Sequence, residues 1–260
     1  MIRREEANAI WLIHQAAHAF ISGQIADHWV GNGTMTLSPR EELITAAYNH
    51  DAGWAEYEQQ PRVNALGMPR TFTEMDMDEH FLIWEQSFRR VFVQNRYAAL
   101  LTVLHSMALY EQRLRYLGDP PEIRAAVQAF VDQWQRWADD MIARLADHPR
   151  YSPGTQPDQL AHNVRLLQVW DYLSLMLCIS TVHEQILEDV PMGDSTRGMV
   201  AIAANGPRSM VLDPFPLDRP LTLWLDARRL RGGPFNTDDE LRHVLVGLPY
   251  KPLVFEITPN

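Results

Sequence analysis

The sequence predicts a mainly α-helical fold, a helical bundle carrying a small C-terminal antiparallel β appendage. Apolar residues recur at helical spacing through most of the first 190 positions. Helix punctuation separates these stretches: Ser38-Pro39, Pro120-Pro121 and the proline-rich segment His148 to Asp158. After about Pro191 the texture changes to short apolar runs broken by proline, glycine and aspartate. The expected division is a helical domain over residues 1–190 and a β appendage over residues 191–260 packed on it.

The first helix is predicted from Glu6 to Ala26, on Ile10, Ile13, Ala17, Phe20 and Ile21. Gly31-Asn32-Gly33 marks a loop. A second helix starts with Ser38 as N-cap, Pro39 at its first position and Glu41 at its third. It carries Leu43, Ile44, Ala47 and Tyr48 and runs into Asn49-His50-Asp51. Gly53 to Thr73, with Pro61, Gly67 and Pro69, reads as a covering loop. Helices follow from Asp76 to Val93, Tyr97 to Leu117, Pro120 to about Leu145 and Gln159 to Leu187. Strands are predicted at Met199 to Ala203, Ser209 to Leu212, Leu221 to Leu225 and Leu253 to Ile257, with a short helix at Asp238 to Val246 before the last.

Composition narrows the function. The chain has 260 residues, 46% of them hydrophobic, enough for a full core. Its net charge is -10, so the basic footprint of a nucleic-acid or anionic-membrane binder is missing, while cations are attracted. The expected partner is a small-molecule substrate, with no nucleic acid and no membrane, and a homo-oligomer stays open. The single cysteine, Cys178, allows no intramolecular disulfide and reads as inert core. Met1 to Glu6 offers no apolar run behind its charges, so no secretion signal is read and a cytoplasmic setting is expected. The most apolar stretch, Leu166 to Val182, is short for a membrane span and contains Gln168 and Asp171, which makes it a buried helix.

Six residues carry the chemistry: His18, His50, Asp51, His80, His105 and Asp171. Most fall inside predicted helices with apolar neighbours, as in Leu100-Leu101-Thr102-Val103-Leu104-His105 and Val169-Trp170-Asp171-Tyr172-Leu173. A buried carboxylate or imidazole without a partner costs a few kcal/mol, on the order of 2 or more. A shared cation is the simplest common partner, and imidazole with carboxylate suits iron, manganese or zinc. Singly, a buried histidine is more often a hydrogen-bonded core group than a ligand, Asp171 reads equally well as a buried hydrogen-bond acceptor, and His50-Asp51 is a weak dipeptide. The order His, His-Asp, His, His, Asp is far more specific than any member.

That order resembles the HD-domain superfamily of helical metalloproteins, over roughly residues 10 to 185. The resemblance assigns His18, the His50-Asp51 pair and Asp171 to a basic site, and His80 and His105 to its extension to two metal ions. It implies two divalent ions (iron, manganese or zinc, with iron favoured) bridged by Asp51, which is also the expected catalytic residue. Ser22-Gly23-Gln24, His50-Asp51-Ala52-Gly53-Trp54, Glu79-His80 and Asp213-Pro214-Phe215-Pro216 further resemble an uncharacterised bacterial family within that superfamily.

Around these residues, His14 lies four before His18 on one helix face and is its rival as ligand or a substrate-side group. Trp54 is expected as a wall of the site or as packing. Glu56 and Glu79 are candidates to accept the second N–H of ligating imidazoles, or to form a solvated face. Arg113 and Arg115 either aim at an anion or stand exposed on their helix. The remaining histidines, His28, His148, His162, His183 and His243, have no place in the order.

Three functions are open at this point. A metal-dependent phosphohydrolase is the leading expectation. Against it, many superfamily members place a lysine shortly after the His-Asp pair, whereas here Gly53, Trp54 and Glu56 follow and the only lysine is Lys251. A di-iron oxygenase is the second reading, and a non-catalytic metal-bound sensor or interaction domain the third.

Overall fold

A computed structural model describes residues 1–6, 9–33, 35–115 and 118–260. The chain opens with a hairpin, β1 (Ile2–Glu6) and β2 (Ala9–Ile13), followed by helices α1 (Gln15–Asp27), α2 (Arg40–Asn49), α3 (Trp54–Tyr57), α4 (Met77–Phe92), α5 (Arg96–Arg115), α6 (Pro121–Ala146) and α7 (Pro157–Ile179). Strands β3 (Gln185–Pro191), β4 (Arg197–Ala204), β5 (Ser209–Asp213) and β6 (Leu221–Leu230) come next, then α8 (Asp238–Val246) and β7 (Tyr250–Pro259).

All seven strands join one sheet in the order β1-β2-β6-β7-β5-β4-β3. Neighbours are antiparallel except β5 and β7, which run parallel. This corrects the expected fold class. The protein is not a mainly α bundle with a small β appendage, because the sheet is a full layer that also takes in the N-terminal hairpin. Buried residues of the sheet (Trp11, Leu223, Phe255) and of the helices (Ile21, Leu101, Trp170) belong to a single continuous core.

The N-terminal hairpin replaces the front of the predicted first helix. Ile10 and Ile13 fit a helical period with Ala17, but Trp11, Leu12 and Ile13 are buried in succession, because β2 lies between β1 and β6 with both faces covered. The helix begins only at Gln15. Positions 7 and 8 of that predicted helix, and Leu117 at the predicted end of α5, fall outside the described residues. Helix α2 starts at Arg40 with Pro39 in the cap position and no side-chain cap, so Ser38 does not have the capping role predicted for it. Pro121 and Pro157 do occupy the first turns of α6 and α7, where a missing N–H is harmless. Helix α7 stops at Ile179, with Ser180 in the left-handed region, and Leu187 lies in strand β3. The strands β4 to β7 and the helix α8 overlie the runs predicted for them.

Helices α5 and α7 are the interior ones. Tyr97 to Val103 of α5 and Val169, Trp170, Leu173 and Ser174 of α7 are buried, so each presents core residues on most of its circumference. Among the described residues no helix is long and apolar enough to cross a membrane.

Candidate metal centre

Four helices bring five of the six predicted residues to one point. His18 comes from the first turns of α1, His50 and Asp51 from the end of α2, His105 from the middle of α5 and Asp171 from the middle of α7. His18, His50 and His105 are each about 1% exposed and Asp51 5%. Asp171 is the hub. Its Oδ1 lies 2.9 Å from His18 Nε2 and 3.4 Å from His50 Nε2, and its Oδ2 lies 3.3 Å from His105 Nε2. Asp51 Oδ2 stands to one side, 3.6 Å from His18 Nε2 and 3.7 Å from His50 Nε2.

The far side of two imidazoles shows which nitrogen faces the cage. His50 Nδ1 lies 3.1 Å from the Ala47 carbonyl, which can only accept, so Nδ1 carries a hydrogen and Nε2 is the nitrogen that, in the neutral ring, offers a lone pair. Ser174 gives its hydroxyl hydrogen to the Asp171 carbonyl at 2.8 Å, so its oxygen accepts from His18 Nδ1 at 2.7 Å. Ser22 meets the same oxygen at 2.8 Å. His18 Nε2 is therefore also a lone pair aimed at carboxylate oxygen. Lone pairs facing lone pairs in a buried site repel unless a cation, a proton or a metal ion, lies among them.

The donor set fits a metal. His50 Nε2 and both nitrogens of His105 have no hydrogen-bond partner among the described residues. The cage edges of 2.9, 3.3 and 3.4 Å match ligand–ligand separations for metal bonds of about 2.1 Å, which are about 3.0 Å in an octahedron and about 3.4 Å in a tetrahedron. The ligand atoms form two triads, His18-His50-Asp51 and His50-His105-Asp171, each spanning no more than 4.8 Å. Three imidazoles and two carboxylates without a thiolate suit iron, manganese or zinc.

Electrostatics agree with a cation-seeking cage. Burial alone would lower the His50 pKa, but the Asp51 charge and the Asp171 carboxylate raise it to about 9. Burial pushes Asp51 up against the pull of His50 and His18. For Asp171 burial also pushes upward, yet the three surrounding imidazoles hold it well below the usual carboxylate range.

The sixth predicted ligand stays apart. His80 belongs to neither triad, and its Nδ1 is hydrogen-bonded with the Tyr110 hydroxyl at 2.9 Å. Burial, with the positive charge of Arg113, lowers its pKa to about 4 and keeps it neutral. It nevertheless lines the same cavity of about 150 Å³ as the cage residues, beside Trp54, whose ring lies 5.6 Å away.

The flanking candidates separate. Trp54 forms the cavity wall. His14 sits at the N-cap of α1, its Nδ1 3.0 Å from Glu58 Oε2 and its Nε2 3.0 Å from the Tyr250 hydroxyl, and it does not line the cavity. Glu56 pairs with Arg90, and Glu79 with Arg62 and Arg70. Neither orients an imidazole of the cage. That work falls to Ser174 and the Ala47 carbonyl. Gln15, absent from the sequence reading, is 4% exposed, lines the cavity and leaves its Oε1 without a hydrogen-bond partner. Gln15 and Ser22 lie three before and four after His18, and Ser174 three after Asp171. Polar residues one helical turn from each predicted ligand were the available signal.

No curated protein and no solved structure matches the chain. A family model does match, over residues 1–232. Together with the seven-stranded sheet it overturns the resemblance to the HD-domain superfamily, whose fold is helical. The ligand order alone suggested that superfamily, and a cage of histidines and aspartates on four helices can be built inside a different architecture. The chain belongs to the family described as Protein of unknown function (DUF3891).

Proposed function

We propose that this protein is a metal-dependent hydrolase of a small molecule, with a phosphoester as the substrate class and one divalent ion in the His/Asp cage. The observation that carries the reading is Asp171, a buried carboxylate within 2.9 to 3.4 Å of three imidazole nitrogens. The two triads share His50, whose Nε2 has one lone pair, so the reading takes one ion where the sequence suggested two. His80, engaged by Tyr110, is left out of the ligand set.

His18, His50, His105 and Asp171 would hold the ion, which would supply Lewis acidity to the reaction. Asp51, at the edge of the cage, is the general base that takes the proton as water oxygen attacks phosphorus and the bond to the leaving alcohol breaks. Gln15 offers its unpaired amide oxygen to the cavity and orients the attacking water. In this reading the Tyr110 hydroxyl, 2.9 Å from His80 Nδ1, is the donor, so that His80 keeps its proton on Nε2 and puts a neutral N–H in the cavity wall, a hydrogen bond for the leaving oxygen. Trp54 and Trp84 exclude bulk water. Cys178, whose thiol burial raises to about 12, takes no part, and a cytoplasmic setting belongs to this reading.

The test is metal content and turnover on the same preparation, purified anaerobically and supplied with iron, manganese or zinc. About one ion per chain is expected, and Asp171→Ala should retain none. Asp51→Asn should keep the ion and lose phosphomonoester or phosphodiester hydrolysis by roughly 10²- to 10⁴-fold. Wild-type protein that binds none of the three metals would sink the reading. An iron-loaded protein without hydrolysis that consumes oxygen would replace it with an oxygenase.

A further inference from the structure

Helix α5 carries a stripe of residues at four-residue spacing, His105, Leu109 and Arg113, which share one helix face. His105 is in the cage. Leu109 lines both the cage cavity and an open cleft of about 590 Å³ next to it, as do His80 and Trp84. Arg113 and Arg115 line the cleft at the end of the helix, with Tyr110 beside them. The two spaces thus adjoin at these three residues, and a route from one to the other would run along α5.

The far end of this route is positive in a chain of net charge -10. Arg113 is oriented by Asp119, which accepts from its Nε at 2.7 Å and its Nη2 at 2.9 Å. Arg115 is exposed and has no ion-pair partner among the described residues. Between these cations and the cage the cleft is lined by the exposed side chain of Leu109 and by the edges of Trp84 and Tyr110, which are only 4% and 3% exposed. Eight residues of helix separate His105 from Arg113, about 12 Å along the axis.

We propose that this cleft is the substrate's recognition site. The substrate is a small organic anion whose apolar body lies against Leu109, with a carboxylate or phosphate held by Arg115 and Arg113 roughly 10 Å from the bond that reacts at the cage. A guanidinium fork matches either anion, and the exposed Leu109 favours an apolar body over a bare ion. This rests on the proposed hydrolase reading and adds the substrate class to it.

The test needs no turnover. Naphthalene-2-carboxylate is titrated by calorimetry into the full chain, once as purified and once after its metal is stripped with EDTA, with 2-naphthalenemethanol as the neutral control. The carboxylate should bind both forms at least tenfold more tightly than the alcohol. Arg115→Gln, which breaks no ion pair, should remove most of that preference, while Arg115→Lys should keep part of it. Metal content and thermal unfolding of both variants should match wild type, because Arg115 is exposed and outside the cage. Equal binding of acid and alcohol, or a preference untouched by Arg115→Gln, overturns the cleft proposal. Carboxylate selectivity in a protein that never holds metal would overturn the hydrolase reading and leave the anion site standing.

Discussion

Ser174 Oγ lies 2.7 Å from His18 Nδ1 while its own hydrogen goes to the Asp171 carbonyl, so one buried hydroxyl ties two residues of the cage together. Removing it frees the His18 ring to flip or change tautomer. Ser174→Ala is expected to weaken metal binding by about 10- to 100-fold, read by competition with a chromophoric chelator. It should cost about 1–3 kcal/mol of stability by urea unfolding, because Ser22 and His18 lose a buried partner. Unchanged affinity would mean that Ser174 does not orient the imidazole.

Gly53 holds the corner between the His50-Asp51 pair and α4. Its N–H donates to Ser87 Oγ at 2.8 Å, and a Cβ there would overlap the Ile83 carbonyl and come within 2.5 Å of the Ser87 nitrogen. Backbone on α4 has little room to yield. Gly53→Ala is expected to destabilise the protein by about 1–3 kcal/mol, read by chemical denaturation, and to lower metal retention because Asp51 is two residues away. A variant as stable as wild type would contradict the close approach of this turn to α4.

His80 sets a pH limit on stability. Its folded pKa of about 4 lies below the ordinary value of 6.5, so between these pH values the unfolded chain binds a proton that the folded one does not. Stability from this group is therefore complete above about pH 6.5 and lost as pH falls toward 4, by at most about 3 kcal/mol. Urea unfolding of wild type and His80→Gln from pH 7 to pH 4 should show the difference between them shrinking on acidification. A constant offset would count against a buried neutral His80.

Loading the cage should release protons. Without an ion the His50 pKa stands at about 9, so at pH 7 its proton must leave before Nε2 can bind metal. Calorimetric titration of zinc or manganese in two buffers of different ionisation enthalpy is expected to show about one proton or more released per ion, and weaker binding as pH drops. Proton-neutral binding would place the ion elsewhere.

Part of this protein was legible locally. Helices α4, α5 and α6 show sustained apolar content, with Asp76 at the start of α4 and Pro121 in the first turn of α6, and their predicted spans overlie the observed ones. The residue types at 18, 50, 51, 105 and 171 stood out because charged or imidazole groups within apolar helices need partners. The same reasoning included His80, whose partner is a tyrosine hydroxyl supplied by α5 and invisible in its own neighbourhood. It offered Glu56 and Glu79, otherwise read as a solvated face, as candidates for work done instead by Ser174 and a backbone carbonyl, because acceptor type is written in the sequence but direction is not.

By itself, then, the sequence determined the helical segments of the body, the short strands after position 191 and the kinds of side chain available for a cation. Tertiary structure alone decided that Trp11, Leu12 and Ile13 form a strand. Their apolar run suits a buried helix or a strand covered on both faces, and pairing with β6, more than two hundred residues later, breaks the tie. It also decided which histidines meet. A ligand's identity is a property of one residue, whereas a cage is a set of distances between residues on four helices, and those distances exist only once the helices are packed.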